Sequence, residues 1–292
     1  MAHVIDISTT VLYRSHDEDA FDARLKLGET LTIENATVTK TIDLSTVFDL
    51  RVGTPPQAAS GAFDGTVLTV GFETKDRREV LFVDASESML DTVAGVLYRR
   101  LLNDVEVVVS HPTKIGGRVT EKSFEIGKLL VAPGKVGCRG INRSFSIDLE
   151  TIVDFSRSTE TLVGERRPVI EIKYVRQGVA VSLKLSLVSP RQQHLLGRFL
   201  RRDYDNVKEQ LQRLDLPLPA FRALVRLYSL QGTATPQTLF GGTTVSAESL
   251  LRGLLRAELV EKNDDEIGLT PRGWILVTEN VGNEDSSIDV AL

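Results

Sequence analysis

"SFSIDLETIVDF", residues 144–155, nearly repeats "TKTIDLSTVFDL", residues 39–50. Ile147/Ile42, Asp148/Asp43, Leu149/Leu44, Thr151/Thr46 and Asp154/Asp49 match outright, and other positions exchange like for like. The match extends both ways with a drifting offset. Upstream, "LTI" at Leu31–Ile33 faces "LLV" at Leu129–Val131. Downstream, "VLTVGF" at Val67–Phe72 faces "VIEIKY" at Val169–Tyr174, 102 positions later, and Gly95 and Gly197 keep that spacing. The unit is about a hundred residues long, the size of an independent domain, whereas solenoid repeats run roughly 20 to 50.

At 292 residues, a prior of roughly 100 to 200 residues per domain gives two or three domains. The repeat favours three: residues 1–107, residues 108–215, and a remainder at 216–292. One cysteine, Cys138, excludes an internal disulfide framework and fits a reducing compartment. No apolar run approaches the roughly 18 residues of a membrane span, so a soluble, cytoplasmic protein is expected. The net charge of −5 hides an asymmetry. Residues 1–110 carry 10 Lys+Arg against 18 Asp+Glu, residues 111–216 carry 19 against 12, and residues 217–292 carry 6 against 10. The middle third is the basic one, able to steer an acidic partner or to settle against the acidic first third.

Each repeat opens as strands and closes as a helix, an α+β pattern. β-branched density and polar turns suit short antiparallel strands. In the first repeat a helix begins near Ser86, with Met89, Val93, Leu97 and Leu101 recurring every four residues beside Leu90, Ala94 and Tyr98. In the second, Ser189 supplies an N-cap oxygen and Pro190 the first helical position, with Leu195, Leu196, Phe199 and Leu200 as the stripe. An antiparallel sandwich or barrel of about seven strands capped by a C-terminal helix is the pleckstrin-homology-like plan, and a small α+β sandwich reads similarly. The second helix runs on through Val207, Leu211 and Leu214 to "LPLP" at Leu216–Pro219, as a strut or a homodimer surface.

The last stretch changes idiom. "AFRALVRLYSLQG", "TPQTLFGG" and "AESLLRGLLRAEL", the last capped by Ser246 with Leu250, Leu251, Leu254 and Leu255 facing inward, read as three helices. A ribbon around the acidic "KNDDE" and a helix from Thr270 and Pro271 through Trp274 and Val277 follow. That order predicts a winged-helix domain, with a frayed tail after Val281.

No constellation of nucleophile, base or metal ligand is visible. His3, His16, His111 and His194 are isolated and lack metal spacing to Cys138, and the acidic run beside His16 reads as a solvated loop. "PGKVGCRG", Pro133–Gly140, lacks the Lys-Ser/Thr of a phosphate loop and aligns with a strand-turn-strand passage, so its glycines serve a turn and Cys138 is structural. No enzyme and no cofactor is expected. Lipid binding would need converging cations, and Lys114, Arg118, Lys122 and Lys128, with Arg166 and Arg167 in a loop, form no dense polybasic run. DNA binding would use Arg252 and Arg256 on the third helix of the last domain, but Glu248 is placed to pair with Arg252 and the ribbon turn is acidic. A docking block for proteins is the better reading of that module.

The chain resembles the archaeal taxis family CheF. "IDLSTVFDL" with "IDLETIVDF", "VVVSHPTKIGGRV" at Val107–Val119 and "GLTPRGWILV" at Gly268–Val277 carry the likeness, which spans nearly the whole chain and is weakest over "TPPQAASGAF". The resemblance implies a non-catalytic adaptor that receives the response regulator CheY, with the phosphorylated form favoured, and relays its state to the switch of the archaellum motor. Relatives from salt-loving archaea are expected to be strongly acidic, from which a net charge of −5 departs. Arg166, Arg167, Arg201 and Arg202 of the basic middle domain are the residues expected to meet an acidic regulator, with Arg252 and Arg256 as further partner contacts. Asp203, Asp205 and Glu209 are alternative partners for Arg201 and Arg202 on their own helix.

Overall fold

The computed structural model describes residues 5–13, 19–57, 59–120, 123–140, 144–162, 164–176, 178–241 and 246–284. His3, the stretch around His16, Lys122 and the tail from residue 285 lie outside the described residues.

The first repeat forms β1 (Ile5–Tyr13), β2 (Phe21–Leu27), β3 (Thr30–Glu34), β4 (Thr39–Asp43), β5 (Val47–Gly53), β6 (Val67–Glu73) and β7 (Arg78–Asp84), then α1 (Glu87–Leu102). The second forms β8 (Glu106–Ile115), β9 (Arg118–Val119), β10 (Glu125–Ala132), β11 (Lys135–Gly140), β12 (Ser144–Asp148), β13 (Ile152–Leu162), β14 (Glu165–Arg176) and β15 (Val179–Leu187), then α2 (Pro190–Gln212). The strands make two antiparallel sheets, ordered β4-β3-β2-β1-β7-β6-β5 and β12-β11-β10-β8-β15-β14-β13, with β9 paired to β8 off that path. Leaving β9 aside, the two orders are the same. The protein is a mixed α+β chain.

The repeated phrase explains this equivalence locally. A 3₁₀ turn follows each first aspartate, at Leu44–Thr46 and Leu149–Thr151. Its threonine closes the turn, since Thr46 Oγ1 donates to the Asp43 carbonyl and Thr151 Oγ1 to the Asp148 carbonyl, both at 2.7 Å. A β-bulge follows. Val47 faces Phe72 and Asp49 faces Gly71, which leaves Phe48 extra; Ile152 faces Tyr174 and Asp154 faces Lys173, which leaves Val153 extra. A bulge bends its strand and re-aims the next side chain, so the shared phrase sets where Asp49 and Asp154 point.

The chain divides into two compact units: residues 1–106, 128–139 and 187–202, and residues 107–127, 140–186 and 203–292. In the first, α1 buries Leu90, Val93, Ala94, Leu97, Tyr98, Leu101 and Leu102. Met89 departs from the expected stripe at 39% exposed. Rows of i, i+4 drift round a helix of 3.6 residues per turn, and Met89 sits on the outer margin of the first turn. Tyr98 donates its hydroxyl to the Leu50 carbonyl at 2.6 Å and packs on Phe199, ring centroids 5.3 Å apart. Leu195, Leu196, Phe199 and Leu200 are buried. Ser189 Oγ accepts from the Gln192 amide at 3.5 Å, at the start of α2.

The second unit ends in α3 (Leu218–Ser229), β16 (Thr233–Ala234), α4 (Pro236–Phe240), α5 (Ala247–Arg256), β17 (Val260–Asn263), β18 (Glu266–Leu269) and α6 (Pro271–Glu284). The order helix, helix, helix, ribbon, helix holds, with β16 added in a small sheet ordered β16-β18-β17. Caps set the helix starts: Thr235 Oγ1 accepts from the Thr238 amide, Ser246 Oγ from Ser249 and Thr270 Oγ1 from Gly273. On α5, Leu250 and Leu254 are buried, while Leu255 is 38% exposed and not inward as expected. Successive helical residues are turned about 100° apart, so Leu254 and Leu255 cannot share a narrow face. At Gly273 an added Cβ would lie 2.1 Å from the Leu259 carbonyl oxygen, so glycine alone lets α6 pack this close. One core joins Val153, Val175 and Ala180 of the strands to Leu224, Leu254, Ile267 and Trp274.

Candidate partner-binding surface

The strands of the β13–β14 hairpin are longer than their counterparts in the first repeat. The matching strands β5 and β6 have 7 residues each, against 11 in β13 and 12 in β14. The second repeat's pairing runs unbroken from Asp154↔Lys173 to Leu162↔Glu165, and β13 is an end strand of its sheet. On one face of the extension Leu162 and Val169 are buried with Val108, and Phe124 packs against them. Arg157, Thr159, Thr161, Arg166 and Pro168 are exposed.

Arg166 and Arg167, expected in a loop, are therefore strand residues, paired with Thr161 and Glu160. The Arg-Arg-Pro sequence reads as a break because proline cannot donate to a ladder. Pairing of β14 with β15 begins only at Ile170↔Leu185, so Pro168 sits where β14 has no second neighbour and its missing amide costs nothing. Arg167 donates through Nε and Nη2 to Glu165 Oε2 at 3.1 and 2.7 Å. Glu160 takes Lys184 at 2.7 Å and Ser158 Oγ at 3.1 Å. Both carboxylates of the extension are thus engaged, whereas the exposed Arg157 and Arg166 make no ion pair among the described residues.

The other expected contacts lie on separate elements. Arg201 is exposed and Arg202 half-buried on α2, in the first unit, and neither is without a partner. The side chain of Asp203 is outside the described residues. Arg252 and Arg256 are exposed on α5, and Arg252 Nη2 meets Glu248 Oε1 at 2.7 Å, the i,i+4 pair that the spacing predicts. The six arginines form three pairs on three elements.

Two polar clusters carry no strong sequence signal. In the first unit, Arg198 forks onto Asp49, Nε to Oδ1 at 2.9 Å and Nη2 to Oδ2 at 3.2 Å, with His194 Nε2 3.2 Å from Oδ1. In the second, a cavity of about 430 Å³ is lined by Lys114, Asp154, Glu171, Lys173, Tyr228 and Trp274 among others. Lys173 Nζ lies 4.9 Å above the Trp274 ring and 5.6 Å above Tyr228, cation–π distances. Lys114 pairs with Glu171 at 2.9 Å. Burial pushes the Asp154 carboxyl above its ordinary value, against the pull of Lys173. Within this cavity Lys114 and Glu171 pair, while the Asp154 carboxylate is disfavoured by burial. A lysine on a strand reads as solvated, so only alignment with Gly71 marks Lys173 as unusual.

Among the described residues, no group of three or more His, Cys, Asp or Glu is arranged to hold a metal ion, and Cys138 is buried. No described helix is long and apolar enough to cross a membrane.

A duplicated α+β chain with cations on exposed strand and helix surfaces is the architecture; comparison with known proteins places it among archaeal taxis signal-transduction proteins. Residues 16–206 match the family model "Archaeal Chemotaxis signal transduction system protein F", and the chain belongs to that family, CheF. It is 30% identical over 241 residues to "Taxis protein CheF2" of Halobacterium salinarum, covering 82% of this chain and 83% of the relative. "Taxis protein CheF1" of the same organism is 24% identical over 237 residues, covering 78% and 80%. Among solved structures, the chain has a likeness to the Spt16D–Pob3N heterodimer at 12% identity, 60% coverage of this chain and 87% of that one. Its TM-score of 0.25 carries no fold argument.

Proposed function

We propose that this CheF family protein is a non-catalytic adaptor between the response regulator CheY and the switch of the archaellum motor. In this reading its two repeats are pleckstrin-homology-like domains and its last domain is a winged helix turned to protein docking. The observation that carries the reading is the family match over residues 16–206, which spans both repeats. The surface supports it, since the longest exposed extension of the second sheet presents unpaired arginines. The DNA reading is not favoured: Arg252 is engaged by Glu248, and the turn between β17 and β18 carries Asp264 and Asp265. An anionic wing begins at a disadvantage against duplex phosphate.

Only a difference in affinity between the two forms of CheY can shift a motor's state. The test is a pull-down with the full chain as bait, comparing phosphorylated and unphosphorylated CheY at equal concentration. At least tenfold greater recovery of the phosphorylated form is expected. Equal recovery removes the signalling role.

A further inference from the structure

We propose that the outer edge of β13, over Arg157–Thr161, is a strand-addition site that takes up an extended acidic segment of a protein partner as one more antiparallel strand.

The argument begins with the backbone. β13 ends its sheet, so along it every second residue directs its N–H and C=O away from β14. An end strand with free backbone groups invites pairing, and folded proteins shorten, cover or charge such strands. The first repeat takes the shortening route, with β5 ending at Gly53 after 7 residues. The second repeat instead lengthens the edge to 11 residues. Near its start β13 is covered, Phe155 lying 5.3 Å from Tyr204 ring to ring. Beyond it Arg157, Ser158 and Thr159 are exposed.

The side chains then select the occupant. Arg157 and, through its pairing with Thr161, Arg166 fall on the same face of the hairpin. Four residues along a strand put them about 13 Å apart. That spacing matches carboxylates at positions i and i+4 of an added strand. Glu160 and Glu165, which would repel such a strand, are already bonded to Lys184 and Arg167. Arg157 on β13, with Arg166 beside it on β14, gives each copy's hairpin like charge that opposes the pairing of β13 with β13 of a second copy. Strand addition draws its affinity from main-chain hydrogen bonds and its selectivity from alternate side chains.

This deepens the adaptor reading by naming how a partner is held, and its test needs no CheY. The probe is a labelled ten-residue peptide alternating glutamate with valine and threonine; the control has the same charge with a proline at its centre. Binding to the full chain is followed by fluorescence anisotropy and amide hydrogen exchange. The alternating peptide is expected to bind with protection gained at 157–161. The proline control and the R157E/R166E variant should each weaken binding at least tenfold. R157Q/R166Q, milder in charge, guards against misfolding and should weaken it less, with unchanged thermal unfolding. Equal binding of the proline control, protection elsewhere, no binding at millimolar peptide, or protection of 157–161 that rises with protein concentration alone would each overturn the proposal. Equal recovery of the two CheY forms would overturn only the adaptor reading.

Discussion

Asp49 and Asp154 stand one residue beyond the same bulge in two repeats of one design, yet their surroundings have nothing in common. Asp49 is gripped by the Arg198 fork and by His194. Asp154 faces a cavity where burial raises its carboxyl and Lys173, set against two aromatic rings, is the nearest relief. The difference extends to the neighbour across the ladder. Opposite Asp49 is Gly71, where an added Cβ would meet the Phe48 ring at 3.0 Å; opposite Asp154 is Lys173. Phe48 lies against Gly71 of the neighbouring strand, whereas Val153 in the same place is buried in the core shared with the C-terminal elements. Duplication kept the turn and bulge that the backbone requires and released the side chains around them.

The largest effect should come from removing a C-terminal side chain that shares a core with the second repeat's strands. Trp274 is 3% exposed, lies in the core with Val153, and packs edge to face with Tyr228 at 4.9 Å between centroids. Truncation of such a buried indole costs about 3–5 kcal/mol. Trp274→Ala should lower the urea-unfolding free energy by that amount. Hydrogen-exchange protection should fall at residues 152–156 and 171–175 and be retained at 47–51. Equal loss at both bulges would end the claim that their surroundings are independent.

Next in size is a pair of substitutions with opposite signs. Asp49→Ala leaves Arg198 without its carboxylate and should cost about 1–3 kcal/mol, the range for a charge-assisted hydrogen bond left unmade. Asp154→Asn removes a charge whose burial is unfavourable, so at neutral pH it should preserve or raise stability. The sign follows from linkage. Because the folded-state pKa of Asp154 is raised above 3.8, the folded protein binds the proton more tightly than the unfolded chain. Stability from this group is full below the ordinary value and is lost as pH rises through the raised one. Urea titrations from pH 4 to 7 should therefore show Asp154→Asn gaining on the native chain as pH rises. A gain as pH falls would contradict the assignment.

Local chemistry was legible in the sequence. The repeat foretold two sheets of equal order, Ser189 and Pro190 the start of α2, and Glu248 the partner of Arg252. What was not legible is what each face meets. Periodicity marks Leu195, Leu196, Phe199 and Leu200 as buried, but cannot say that 187–202 groups with the first repeat, as 128–139 also does. Met89 and Leu255 were misplaced because a four-residue recurrence overstates the width of an apolar stripe. Arg166 and Arg167 were misread because proline marks a break in a two-sided strand and is harmless in a one-sided one.

The smallest effect tests how deep the sameness of the repeats goes. Thr46 and Thr151 make the same bond at the same length, hydroxyl to the carbonyl of the aspartate three residues before. Valine keeps the branched shape and deletes the hydroxyl, so each substitution removes one hydrogen bond, worth roughly 0.5–1.5 kcal/mol. The two need not cost the same. Asp43 Oδ1 also accepts from the Ser45 amide at 2.8 Å, a second tie that holds the first turn when the threonine bond is lost. Asp148 makes no such side-chain cap bond, and Glu150 takes the place of Ser45. Thr151→Val should therefore cost about 1 kcal/mol and Thr46→Val about half that, with the double variant expected to be additive. Chemical denaturation resolves such a difference when the urea dependence is unchanged. A larger cost at Thr46 would mean that the Asp43 cap does not support the turn, and that the divergence of the repeats reaches the backbone hydrogen bonds they appear on sequence to share.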